Sequence, residues 1–122
     1  MNNIIKSLKH RDDIEVREVD GDIIINKNIT SSFGNKLDSI YIEEMYGEYY
    51  LTDRGAFLNA RLCRYNELSD KARDEITETL REHNMIIEGK RVLSRIAEEN
   101  IEDDVENFYA MLDYIDRIML KG

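Results

Sequence analysis

The 122-residue chain has no proline and a single cysteine. Average usage would place roughly six prolines in a chain this long, so collagen-like, polyproline and proline-rich linker architectures are excluded. Cys63 has no second cysteine to bridge to, which excludes a disulfide-stapled scaffold and fits a reducing compartment. No apolar run approaches the roughly 20 residues that cross a bilayer, and residues 1–10 lack the apolar core of a signal peptide. The expected location is the cytoplasm, with no membrane partner. His10, His83 and Cys63 do not stand at zinc-type spacing, so neither a metal nor another cofactor is expected. What is present suffices for one domain over residues 1–122. At this length folding hides roughly two-thirds of the surface that the unfolded chain exposes, and no staple is needed.

Basic residues are missing from one stretch in particular. Residues 98–116 contain Glu98, Glu99, Glu102, Asp103, Asp104, Glu106, Asp113 and Asp116 and no Lys or Arg. The net charge of −9 is therefore concentrated there, because the rest of the chain carries 17 basic and 18 acidic side chains. Residues 54–65 run the other way, with Arg54, Arg61 and Arg64 and no acid. Such a polarised molecule repels nucleic-acid phosphates and attracts basic partners.

Apolar periodicity predicts an α+β fold. Ile4, Ile5 and Leu8 mark a short first helix, capped by Asn2 or Asn3. Ile14 and Val16 alternate with charged residues, Asp20-Gly21 is a hairpin turn, and Ile23-Ile24-Ile25 returns. Residues 26–36 read as a loop, and Leu37, Ile40 and Ile42 lead to a second hairpin around Tyr46-Gly47-Glu48. About four antiparallel strands result, with helices packed on one face. Phe57, Leu58, Leu62 and Tyr65 suit a helix; Ser69 caps another that runs to His83 with Ala72, Ile76 and Leu80 as its stripe. A short late hairpin follows over residues 85–96. In the long last helix Ile101, Val105, Phe108, Leu112, Ile115 and Met119 recur at steps of four and three, with Asn100 as the expected cap. That stripe suits packing on the sheet and equally suits a homodimer.

The sharpest local feature is Leu51-Thr52-Asp53-Arg54-Gly55. Asp53 is placed to accept a backbone N–H from the new helix, and Gly55 permits close approach of backbone or ligand. With the isoleucine-rich strand pair around Ile40-Tyr41-Ile42 and Tyr49-Tyr50-Leu51, this run resembles an uncharacterised bacterial and prophage family marked by Leu-Thr-Asp-x-Gly. The resemblance spans residues 14 to about 118 and departs at Thr30-Ser31-Ser32-Phe33, where a Thr-Pro-Phe-like turn is expected. It implies the fold and a phage or mobile-element setting in a bacterial host cell, and no activity.

Other chemistries are weaker. Asp53 with Glu88-Gly89-Lys90 could serve a small metal-dependent phosphodiesterase, although Gly89 makes a better hairpin tip. His10-Arg11-Asp12-Asp13 as a cation site is better explained as the close of the first helix. Helix, turn, helix and hairpin mimic a winged helix-turn-helix. The would-be recognition helix, with Asp70, Asp74, Glu75, Glu78 and Glu82, suits phosphate contacts poorly. The expected function is a non-enzymatic interaction protein, an anti-CRISPR-like inhibitor of a nucleic-acid-handling defence protein. Glu98, Glu99, Glu102, Asp103, Asp104, Glu106 and Asp113 form its acidic binding face, and no nucleic acid is bound directly.

Overall fold

A computed structural model of the protein describes residues 2–9, 11–27 and 39–121. Alternating apolar residues produce six strands: β1 (Ile14–Val19), β2 (Asp22–Lys27), β3 (Ile40–Met45), β4 (Glu48–Thr52), β5 (Met85–Glu88) and β6 (Arg91–Ile96). Helices α1 (Asn2–Lys9), α2 (Ala56–Glu67), α3 (Asp70–Glu82) and α4 (Ile101–Lys121) complete the fold, with a 3-10 turn at Glu98–Asn100. The first two hairpins close over two residues each, Asp20-Gly21 and Tyr46-Gly47, and all four have positive φ. That geometry matches the right-handed twist of the flanking strands.

The sheet has the order β1-β2-β3-β4-β6-β5, and every neighbouring pair is antiparallel. Six strands replace the four expected, because the late hairpin joins the sheet instead of standing apart. The free edge of β4 carries backbone donors and acceptors that need partners, and β6 supplies them, with Leu51 opposite Ser94 and Thr52 opposite Leu93.

One face of the sheet holds the core. Ile23, Ile25, Ile40, Ile42, Leu51 and Ile96 are buried there against Phe57, Ile76, Leu80, Phe108 and Leu112 from the helices. The whole expected stripe of α4, from Ile101 to Met119, is buried, each large side chain contributing about 1.5–3 kcal/mol. Ser69 caps α3 through Ala72 N–H at 3.1 Å. At the start of α4 the 3-10 turn stands where Asn100 was expected to cap.

The opposite face carries a row that crosses all six strands: Arg17, Ile24, Tyr41, Thr52, Leu93 and Ile86. Leu93 is buried yet lies outside the core cluster. The β2–β3 ladder also ends early, at Ile23 opposite Ile42, while β3 continues to Met45 against β4. β3 outruns β2 there, because β2 begins at Asp22. The loop expected at residues 26–36 gives way at its start to β2, which runs to Lys27; its remainder, Leu37, His10 and the departure at Thr30-Ser31-Ser32-Phe33 lie outside the described residues.

Candidate functional site

Asp53 sits between β4 and α2 and is fully buried. Its Oδ1 accepts the backbone N–H groups of Gly55 at 3.0 Å and Val92 at 2.8 Å, and its Oδ2 accepts that of Leu58 at 3.0 Å. One carboxylate therefore starts α2 and also pins β6 to the end of β4. Gly55 is needed beside it for two reasons: φ is +84°, and a Cβ there would stand 3.1 Å from the carbonyl oxygen of Lys90. Both oxygens of Asp53 are thus committed to backbone. Glu88 is exposed at the end of β5 and pairs with Arg91 at 3.4 Å. The two carboxylates of the phosphodiesterase reading do not share an open site. Among the described residues no group of three or more His, Cys, Asp or Glu is arranged to hold a metal ion.

The acidic segment divides in two. Toward the sheet and the C-terminus its charges are answered: Glu106 binds Lys27 at 2.6 Å and Arg11 at 2.6 Å, Asp113 lies 3.5 Å from Arg117, and buried Asp116 binds Arg61 at 2.5 Å. Burial raises the pKa of Glu106, but the hydrogen bonds from Lys27 and Arg11 outweigh it and hold the carboxyl below its ordinary value. Arg11 also pairs with Asp13, so these two residues of the imagined cation site belong to an ion-pair knot with Glu106 and Lys27.

Around the start of α4 the acids remain together. Glu99 and Asp103 are exposed, Glu102 is half-buried, and half-buried Asp104 accepts the Ala97 N–H at 3.4 Å. Burial, and then the charges of Asp103 and Glu99, raise the Asp104 pKa above its ordinary value. The side chain of Glu98 lies outside the described residues.

A third cluster lies on the sheet face opposite the core and was not expected. Arg54 leaves the β4–α2 junction with φ +51° and passes over the Tyr41 ring at 4.3 Å. It binds Asp22 through two nitrogens, at 2.7 and 3.1 Å, and Glu43 through Nε at 3.0 Å. Asp22 holds the Arg54 guanidinium more firmly protonated, burial opposes this, and Glu43 adds to it. Arg91 continues the chain, 3.6 Å from Glu43 and 3.4 Å from Glu88. A string of five charged side chains thus runs from β2 to β5. The available signal was the Asp20-Gly21 turn, which places Asp22, and the alternation that puts Tyr41 and Glu43 on one face. Of the three arginines in residues 54–65, Arg61 pairs with Asp116 of α4, Arg54 serves this face, and Arg64 is exposed.

No family model matches the chain, and no curated protein or solved structure is significantly similar to it. No helix among the described residues is long and apolar enough to cross a membrane.

Proposed function

We propose that this is a non-enzymatic interaction protein of phage or mobile-element origin. It inhibits a nucleic-acid-handling bacterial defence protein, in the manner of an anti-CRISPR, by docking its acidic pole into a basic groove. The pole centres on Glu99, Asp103 and Asp104, and Glu102 is half-buried beside them. The observation that carries the reading is the grouping of exposed Glu99 and Asp103 beside half-buried Asp104 at the start of α4, where burial and then the like charges of Asp103 and Glu99 hold the Asp104 pKa above its ordinary value. Carboxylates that repel one another gain from a cationic groove more than carboxylates already paired with arginine. Glu106, Asp113 and Asp116 have such pairs, so they serve the fold, and the binding surface is smaller than the whole segment.

The test is capture from a nuclease-treated host lysate by the wild-type chain and by the triple variant Glu99→Lys, Glu102→Lys, Asp103→Lys. The expected result is a basic protein retained by the wild type, its nucleic-acid-dependent activity blocked, with retention lost in the variant. Equal retention by both chains, or a captured protein whose activity is untouched, overturns the proposal.

A further inference from the structure

Where β3 runs on past the start of β2, an open cavity of about 380 Å³ fills the corner between the β1–β2 turn and the end of β3. Gly21 and Asp22 form one wall, residues 42–45 the other, and Arg54 and Arg91 reach over it. Beyond Ile42 no ladder pair joins β3 to β2, whose register leaves only Asp22 and then the turn beside Glu43 and Glu44, although β3 stays paired to β4 as far as Met45. An unpaired strand edge is a template for another chain. The volume is at the low end of the range for small-ligand pockets, enough for a few residues and too small for a domain.

The charges select the occupant. Asp22 is taken by Arg54 through both oxygens, and Glu43 is shared between Arg54 and Arg91. Three of the five N–H donors of Arg54 already bind carboxylates, and Asp22 and Glu43 answer its charge. Glu44 is exposed and has no partner among the described residues. Three acids against two arginines leave one negative charge in the lining, and it is the charge of Glu44. Opposite it the wall is open, since a Cβ on Gly21 would meet nothing within 4 Å.

We propose that this cleft is a binding site for a short extended peptide segment of a partner protein that carries one basic side chain. The peptide backbone extends the ladder along residues 43–45, and its ammonium or guanidinium group pairs with Glu44. The site shares no residue with the acidic pole of α4, so it stands or falls independently of the inhibitor reading.

The experiment is an NMR titration of the full ¹⁵N-labelled chain with capped tripeptides, in which a central arginine or glutamate is flanked by valines. The arginine peptide is expected to shift the amides of Gly21, Glu43, Glu44 and Met45. Glu44→Gln should weaken it by about three- to fivefold, the scale of one exposed ion pair, and N-methylation of its backbone should weaken it further. Spermidine is the control for a free cation. The proposal is overturned by equal binding of the glutamate peptide, by shifts confined to other surfaces, or by no shift at millimolar peptide. It is also overturned if spermidine and the N-methylated peptide reproduce the full pattern, since backbone pairing would then have no part in it.

Discussion

Asp53 gathers three backbone N–H groups from two elements that are far apart in the chain, and no water reaches it. Removing the carboxylate strands those donors in the interior, where each unsatisfied group costs about 1–3 kcal/mol. Asp53→Ala is therefore expected to destabilise the fold by about 3–5 kcal/mol, read as a fall in the urea midpoint. Asp53→Asn also falls, by less, because the amide oxygen still accepts. A melting temperature left unchanged by Asp53→Asn would contradict the structural role and return the residue to the candidates for catalysis. Gly55→Ala is expected to cost about 1–3 kcal/mol, from its positive φ and from the Lys90 carbonyl 3.1 Å from the new Cβ.

At the scale of the element, α4 has an acidic start and a balanced middle, and the two respond to pH with opposite signs. Glu106 has a lowered pKa when folded, so it adds stability above its ordinary value near 4.5, and that stability is lost as pH falls through the folded value. Asp104 has a raised pKa, so its ionisation weakens the fold, and protonation relieves it. At pH 7 Glu106→Gln should lose about 0.5–1 kcal/mol. Asp104→Asn should gain stability at the same pH. Both differences should shrink as urea midpoints are followed down toward pH 3, and a gain for Asp104→Asn that grows on acidification would refute the assignment.

Elements with their own period were legible in the sequence. The stripe of α4, the Ser69 cap of α3 and the two-residue turns each need only neighbours along the chain. Alternation also identifies the strands, but it specifies a face and not a neighbour, so the β5–β6 hairpin was visible while its attachment to β4 was not. The same limit applies to the sites. Asp53 stood out as a cap, yet its bond to Val92 lies 39 residues away, and the Asp116–Arg61 pair is separated by 55. The cluster of Asp22, Glu43, Arg54 and Arg91 draws on three strands and a junction, which no local pattern brings together.

For the whole molecule, the sheet face opposite the core carries a roof of charge among the described residues. Thr52 is fully buried and Leu93 nearly so although the core is on the other side. Arg54 is the central member, since it separates Asp22 from Glu43, two carboxylates brought close where the ladder has ended. Arg54→Ala should lower stability by about 1–2 kcal/mol. Arg54→Lys should restore less than half of that, because an ammonium lacks the planar fork that binds both acids. Added salt should narrow the gap between wild type and Arg54→Ala in urea unfolding, as screening weakens exposed pairs; a gap independent of salt would argue that packing on Tyr41 dominates.

The order of the strands also imposes an order in time. The chain from β1 to β4 folds back on itself through near neighbours, and β5 and β6 close over a single turn. The β4–β6 pairing alone must draw residues 49–52 against residues 93–96 across α2, α3 and β5. Closing a loop of that length is the large entropic step in assembling this sheet, and it gains nothing until it is complete. The β1–β4 run and the β5–β6 hairpin need only shorter closures, so the β4–β6 junction where Asp53 holds Val92 is expected to limit the rate of folding.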